Sequence, residues 1–267
     1  MKLELISHHP QTQPKDTPLL FVHGSFAGAE VWDRYFLPYF AARGYESHAV
    51  SLRGHGASAG HDRLPWWSLS DYVADLTRTV AALPRPPVLI GHSLGGMVVQ
   101  KYLESSTPPG VVLMASVPPH GLLPSLMGLL ASRPLLLYQI NLIQSLGPRF
   151  ASLSIMRKAL FSDNTPDSHV MDYIPLFQGE SQRVSLDMLG LNPLRLPRKP
   201  AVPMLVMGAE HDVFISTRLV QDTARYYQTE AVTFADMAHA MMLEAEWERV
   251  AEHLLGWLDS RFAVTRE

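Results

Sequence analysis

Short apolar runs alternate with segments of helical periodicity along most of the chain, and this alternation restricts its fold more than any other feature. Seven runs are rich in β-branched or other apolar residues: 3–7, 18–23, 47–51, 87–91, 111–116, 202–208 and 231–234. Such runs, separated by helices, are typical of parallel strands that are covered on both faces. The sequence therefore predicts an α/β fold with a mostly parallel central sheet flanked by helices.

The segments between these runs have apolar residues at helical spacing. The predicted helices are 30–43, 68–83, 93–104, 216–227 and 243–261. Residues Ser68 and Asp71 have the spacing of a capping box, which predicts that the second helix begins next to Ser68. We expect all of these helices to cover the sheet.

The alternation is interrupted once, between residues 117 and 200. This region has no convincing strand and is rich in leucine, methionine and proline. A loop of that length without secondary structure is uncommon inside a compact domain. We therefore predict a core formed by residues 1–117 and 200–267 and an inserted helical subdomain in residues 118–199. The most apolar part, 122–146, is predicted to form two amphipathic helices rather than a membrane span, because Arg133 and Pro134 lie near its centre.

Composition limits the partners and the chemistry. The 267 residues are 47% hydrophobic and 18% charged, which suits one sizeable domain. A net charge of -3 argues against nucleic acid as a main partner, because binding phosphates needs a positive excess. The chain has no cysteine and therefore no disulfide or thiolate metal site. No signal peptide can be drawn through the first 18 residues, so we expect a cytoplasmic location.

The run Gly91-His92-Ser93-Leu94-Gly95 lies where a predicted strand passes directly into a predicted helix. In that context Gly-x-Ser-x-Gly indicates a nucleophilic serine on a sharp turn, with glycines where side chains would clash. The turn places the hydroxyl of Ser93 at the helix N-terminus, where free backbone N–H groups can stabilise an oxyanion. We interpret Ser93 as the nucleophile.

A serine nucleophile needs a histidine base and a carboxylate that orients it, and in this fold they follow in the order Ser, acid, His. His239 lies between the last predicted strand and the C-terminal helix. Asp212 follows the strand at 202–208 and is the first choice for the acid. Glu210 ranks second, and Asp236 is so close in sequence to His239 that it is expected to cap the loop. No histidine pair has a metal-ligand spacing, so we predict neither a metal nor a cofactor.

With these motifs the chain resembles the α/β-hydrolase superfamily, over nearly everything outside the insertion. The other similar segments are His23-Gly-Ser-Phe26, Arg53-Gly-His-Gly-Ala-Ser58, 208–212 and 238–244. The resemblance implies an oxyanion hole formed by the backbone N–H groups of Ser25 and Leu94, and a cap domain in the insertion. His23 and His55 are expected to hold loops by hydrogen bonding rather than to take part in catalysis.

A serine in place of a carboxylate nucleophile disfavours dehalogenase and epoxide hydrolase activity. We therefore expect an esterase, lipase-like or lysophospholipase-like, that acts on a small or medium lipophilic ester through an acyl-enzyme. The alternatives are a lactonase, thioesterase, C–C hydrolase, hydroxynitrile lyase or cofactorless dioxygenase with the same fold, or a non-catalytic ligand receptor.

The insertion also suggests contact with lipid. Residues 105–162 contain no acidic residue but include four cationic ones: Arg133, Arg149, Arg157 and Lys158. Two interpretations are open, an anionic lipid surface as a peripheral partner of the cap or simple solvation of these cations on its outer face.

Overall fold

A computed structural model describes residues 1–147, 150–192, 194–195 and 202–262. The strands are β1 (Glu4–His8), β2 (Leu19–Val22), β3 (Ser47–Ser51), β4 (Val88–His92), β5 (Val111–Met114), β6 (Met204–Ala209) and β7 (Ala231–Phe234). The helices are α1 (Glu30–Asp33), α2 (Phe36–Ala41), α3 (Leu69–Ala82), α4 (Leu94–Tyr102), α5 (Leu123–Ser132), α6 (Pro134–Leu146), α7 (Leu153–Leu160), α8 (Asp167–Met171), α9 (Gln182–Leu186), α10 (Thr217–Tyr227) and α11 (Trp247–Phe262).

The strands form one sheet in the order β1-β3-β2-β4-β5-β6-β7, in which β1 is antiparallel to β3 and the other pairs are parallel. The sheet has an apolar layer on each face. In β2, Leu19 and Phe21 pack into one layer, whereas Leu20 and Val22 pack into the other. Because both faces are covered, the central strands are continuous apolar runs, and the predicted fold class is confirmed.

Two helices differ from the prediction. The segment 30–43 forms two short helices, α1 and α2, rather than one, and the break falls at Arg34 and Tyr35. Pro38 explains the break, since its ring would clash with the carbonyl of Arg34 in a continuous helix. The last helix, α11, begins at Trp247, four residues later than predicted. The other helices lie where they were predicted, and α3 has the capping box between Ser68 and Asp71.

Helices α5 to α9 lie between β5 and β6, and we call residues 118–199 the insertion. The two helices predicted within residues 122–146 are present as α5 and α6, and they meet at Arg133. Over the described residues, no helix combines the length and apolarity needed to cross a membrane. The predicted boundary between residues 199 and 200 lies outside the described residues.

Buried polar contacts connect the insertion to the core. The carboxylate of Asp187 accepts a hydrogen bond of 3.0 Å from the backbone N–H of Leu69, the first residue of α3. Glu180 accepts one of 2.9 Å from the Tyr72 hydroxyl, and the Glu180 Oε2 lies 3.5 Å from the Nε2 of His55. Both Glu180 and His55 are buried, so this ion pair belongs to the interior of the protein.

Candidate active site

Ser93 occupies the turn between β4 and α4 with a strained backbone. Its φ of 52° and ψ of -117° are unfavourable for a residue with a side chain, and such strain persists only where the surroundings impose it. Here the neighbouring glycines permit the close contacts. A Cβ on Gly91 would lie 2.5 Å from the carbonyl oxygen of Gly95, and one on Gly95 would lie 2.3 Å from the carbonyl oxygen of Val22. The strand, the turn and the helix can therefore approach only because both positions are glycine.

The loop after β2 passes directly beside Ser93. A Cβ on Gly24 would lie 2.7 Å from the Nδ1 of His92 and 3.0 Å from the Cβ of Ser93, so glycine is required for this approach. Within the part of the chain that the structure describes, the backbone N–H groups of Ser25 and Leu94 have no acceptor in the protein. Both groups are thus available to a ligand near Ser93.

The side chain of His23 fixes the loop after β2 through two hydrogen bonds. Burial, together with the nearby His55, lowers the pKa of His23 to about 3, so the ring is neutral. Its Nδ1–H donates to the carbonyl of Gly24 at 2.8 Å, and its Nε2 accepts from the N–H of Leu52 at 3.0 Å. This is the loop-holding contribution that the sequence suggested for His23.

His239 and Asp212 come together after β7 and β6. The Nδ1–H of His239 donates to the Oδ2 of Asp212 at 2.7 Å, and both side chains are buried. The Oδ1 of Asp212 accepts from the N–H groups of Phe214 at 2.8 Å and Ile215 at 2.9 Å. The carboxylate therefore has a fixed orientation, and within the described part of the chain the Nε2 of His239 has no hydrogen-bond partner.

The two alternative acids lie elsewhere. Glu210 and Asp236 are exposed, and a Glu210 carboxylate oxygen accepts from the backbone N–H of Asp236 at 3.2 Å. Together with His211 they form the one group of metal-ligand type found among the described residues, with ligand atoms within 4.8 Å of one another. None of the three lines the cavity that contains Ser93 and His239.

Two further residues position the loop that carries His239, and the sequence analysis gave neither a role. Burial lowers the pKa of His92 well below its ordinary value, and the His239 ring lowers it further, so His92 is neutral. Its Nε2–H donates to the backbone carbonyl of His239 at 2.9 Å. Glu244 is buried and accepts from the N–H groups of Ala238 and Ser162, both at 2.8 Å. Glu244 thus joins the loop that carries His239 to the insertion.

Ser93, His239 and Ser25 line one cavity of about 490 Å³ between the core and the insertion. Apart from these residues its wall is mostly apolar, with side chains such as Leu126, Ile140, Met156, Phe177 and Met242. A cavity of this size suits a small to medium organic ligand. The predicted nucleophile and base therefore share an apolar chamber that is built largely by the insertion.

Comparison with known proteins identifies the family. A sequence profile described as the Alpha/beta hydrolase family matches residues 19–253, which is most of the chain. The chain belongs to this α/β-hydrolase family. The match includes the Ser93 turn, Asp212 and His239, and the family fold agrees with the observed sheet.

The relatives of this chain are named for different activities. A non-heme chloroperoxidase from Burkholderia pyrrocinia is 38% identical over 117 residues, or 40% of this chain and 40% of the relative, so the matched part spans under half of that protein. Epoxide hydrolase 3 from Xenopus tropicalis is 25% identical over 241 residues, covering 82% of this chain and 65% of the relative. An esterase structure from Thermogutta terrifontis has a TM-score of 0.74 at 19% identity and covers 97% of this chain and 94% of that one. The last likeness concerns the fold alone.

Proposed function

We propose that this α/β-hydrolase is a serine hydrolase that cleaves carboxylic esters of small or medium lipophilic compounds through an acyl-enzyme. The observation that carries the proposal is the hydrogen-bonded pair of His239 and Asp212, whose histidine lines the same apolar cavity as the strained Ser93. These are the parts that nucleophilic catalysis by serine requires.

In the first half-reaction the Oγ of Ser93 attacks the ester carbonyl carbon, and its proton passes to the Nε2 of His239. Asp212 stabilises the imidazolium through its 2.7 Å hydrogen bond. The backbone N–H groups of Ser25 and Leu94 donate to the oxyanion. When the tetrahedral intermediate collapses, the bond to the alcohol oxygen breaks, His239 returns the proton to the alcohol, and the acyl group remains on Ser93.

In the second half-reaction a water molecule attacks the acyl carbonyl. His239 takes a proton from the water, the ester bond to Ser93 breaks, and the serine oxygen recovers the proton. The carboxylic acid is released and the enzyme returns to its starting state. The apolar wall of the cavity favours an acyl or alcohol group that is itself apolar, since burying such surface is favourable.

A second candidate activity is favoured by the match with the non-heme chloroperoxidase. Hydrogen peroxide can attack an acyl-enzyme in place of water, which breaks the ester bond to Ser93 and releases a peroxycarboxylic acid. That product can oxidise a halide ion and is itself reduced to the carboxylic acid. The activity would need peroxide and a carboxylic acid as co-substrates, and it uses the same three side chains.

The other chemistries considered from sequence, including lactone, thioester and C–C hydrolysis, hydroxynitrile cleavage and cofactorless dioxygenation, stay alternatives, as does ligand reception without catalysis. Epoxide hydrolysis of the kind named for the Xenopus relative is disfavoured, because Ser93 stands where a carboxylate nucleophile would be needed. The cap domain in residues 118–199 and the cytoplasmic location likewise stay predictions.

The decisive experiment combines active-site labelling with turnover. A fluorophosphonate probe should label the wild-type protein at Ser93, and Ser93→Ala should abolish labelling and lower kcat for p-nitrophenyl esters by about 10³-fold or more. Ser154→Ala, which changes an exposed serine on α7, serves as the matched control and should keep both properties. Labelling at another serine, or turnover by Ser93→Ala within about tenfold of wild type, would contradict the proposal.

The same proteins separate the candidate activities. Oxidation of bromide in the presence of acetate and hydrogen peroxide, lost in Ser93→Ala, would establish the peroxide-dependent reaction alongside ester hydrolysis. A wild-type protein that takes the label but hydrolyses no ester, thioester or lactone in the panel would favour the lyase or receptor alternatives.

A further inference from the structure

The helical hairpin α5–α6 exposes large apolar side chains on its outer surface. Each is between 52% and 67% exposed. They are Leu123, Met127 and Leu130 on α5, and Leu135 and Tyr138 on α6. The three on α5 are spaced four and three residues apart, so they share one face of that helix. We call these five side chains the outer apolar face.

Such a face is unusual for a helix packed on a protein core. A helix that only covers a core exposes polar residues on the opposite side. Single exposed apolar residues are ordinary, whereas a contiguous group marks an interaction surface. On α5 the inward-facing Leu126 lines the cavity and Leu129 is buried, so this helix is apolar on both its inner and its outer sides.

The outer apolar face adjoins the route into the cavity. Asn141 on α6, and Gln182 and Leu186 on α9, line the cavity and are also exposed, so the cavity reaches the surface between these helices. Tyr138 of the outer apolar face lies one helical turn from Asn141. A compound that leaves a surface bound at this face would therefore be close to the cavity mouth.

The charges of the insertion fit a lipid surface, but less strongly than the sequence suggested. Arg157 is not free, because it forms an ion pair of 2.6 Å with Asp167. Arg149 lies outside the described residues. Lys158 borders a groove that also contains Asp163 and Glu210. Arg133, at the turn between α5 and α6, borders the same groove; it is exposed, and among the described residues no carboxylate lies within 4 Å of it.

We propose that the outer apolar face of the α5–α6 hairpin docks the protein on the surface of a lipid bilayer or micelle, from which the lipophilic substrate enters the cavity between α6 and α9. Insertion of apolar side chains provides the binding, as in other helices that lie in the membrane interface. Arg133 adds an attraction to anionic headgroups. The segment 105–162 has no acidic residue, so the hairpin itself presents no carboxylate to anionic lipid.

Vesicle sedimentation tests the docking, with phosphatidylcholine vesicles and with vesicles that also contain phosphatidylglycerol. The Ser93→Ala protein should sediment with both, more with the anionic vesicles, and added salt should remove only this difference because it screens exposed charge. Met127→Gln with Leu130→Gln should reduce partitioning into either vesicle by about tenfold or more. Leu5→Gln, on the edge strand β1 and also exposed, is the matched control and should leave partitioning unchanged.

Activity measurements connect docking to turnover. The substrate entry step rests on the proposed ester hydrolysis, but the binding measurements do not, so the two can fail separately. With active enzyme, the double variant should lose turnover of an ester carried in vesicles and keep wild-type kcat/KM for a small dissolved ester, since neither position lines the cavity.

Three results would overturn the proposal. One is no sedimentation of the wild-type protein with either vesicle. Another is equal loss of binding in the Leu5→Gln control. The third is a concentration-dependent dimer in sedimentation velocity that the double variant abolishes while vesicle binding is absent, which would assign the face to a second copy of the chain.

Discussion

Asp212 uses its two carboxylate oxygens for different contacts. Oδ1 accepts from two backbone N–H groups that follow it in the loop, those of Phe214 and Ile215. Oδ2 is thereby directed at the Nδ1 of His239. Glu210 is nearer the strand but has no comparable anchoring, and its side chain turns outward to Asp236. The three acids therefore differ in where their side chains point. Backbone N–H groups hold the carboxylate of Asp212 toward His239, whereas that of Glu210 contacts the backbone of Asp236.

Substitution of Asp212 should disturb the orientation of the His239 ring without unfolding the protein. Asp212→Asn can keep the two backbone contacts through its amide oxygen, but its amide N–H₂ then faces His239 and favours the wrong imidazole tautomer. We expect kcat for a p-nitrophenyl ester to fall by about 10³-fold or more with an unchanged circular dichroism spectrum. Glu210→Gln and Asp236→Asn are the matched controls and should stay within about twofold. A crippling effect of Glu210→Gln would show that the acid has been misassigned.

The sequence could propose Ser93, Asp212 and His239 as a catalytic set because each of them follows the end of a predicted strand. It could not identify the contact of His92 with the His239 carbonyl, which joins residues 147 positions apart. Glu244 was equally hidden, since a buried carboxylate that accepts from Ser162 and Ala238 has no local pattern. Long-range hydrogen bonds of this kind depend on how loops meet above the sheet, and periodicity carries no information about that.

At the scale of elements, the unit β4–turn–α4 is held in place by close backbone packing. Gly95 lies in the first turn of α4, and its Cα faces the carbonyl oxygens of Val22 and His23 at the end of β2. The sequence predicted this unit and the strands correctly because buried parallel strands and glycine junctions leave local signals. It placed α1 and α2 in one helix because that prediction rested on apolar spacing and did not take Pro38 into account.

A single methyl group should be enough to disturb the unit. In Gly95→Ala the new Cβ would lie 2.3 Å from the carbonyl oxygen of Val22 and 2.5 Å from that of His23, and neither backbone atom can move easily. We expect the free energy of unfolding in urea to fall by about 1–3 kcal/mol or more. Gly128→Ala is the matched control, because nothing lies within 4 Å of its Cβ on α5. Alanine there should be neutral or stabilising by up to about 1 kcal/mol, and equal destabilisation by both changes would refute the packing argument.

At the scale of the whole molecule, buried ion pairing connects the insertion to the core. Burial by itself would lower the pKa of His55, but the Glu180 carboxylate and hydrogen bonds to the backbone of Arg53 and Gly179 together raise it. Burial by itself would raise the pKa of Glu180, but the charge of His55 and hydrogen bonds to Glu180, one of them from Tyr72, lower it. Both groups are therefore mostly charged between about pH 4.5 and 6.5, and in that range the insertion is attached to the core through a buried charged pair.

This pair should make stability depend on pH in a defined direction. The contribution of His55 is fully present below its ordinary pKa of 6.5 and is lost as the pH rises through its higher folded-state pKa. The contribution of Glu180 is present above its ordinary pKa of 4.5 and is lost as the pH falls through its lower folded-state pKa. The stabilisation by the pair is therefore greatest between about pH 4.5 and 6.5 and declines on the alkaline side.

His55→Gln tests this dependence without touching the proposed catalytic residues. At pH 6 the variant should be less stable than wild type by about 3–5 kcal/mol, because Glu180 loses its partner inside the protein. The difference should shrink as the pH is raised above 6.5, since the wild-type protein then loses the same charge. Urea unfolding at a series of pH values measures this difference in the free energy of unfolding. The control Ser154→Ala should have the same free energy of unfolding as wild type at every pH. A difference that stays constant across the range would mean that His55 is uncharged in the folded protein and that the insertion is attached by its other contacts, those of Asp187 and Glu244 among them.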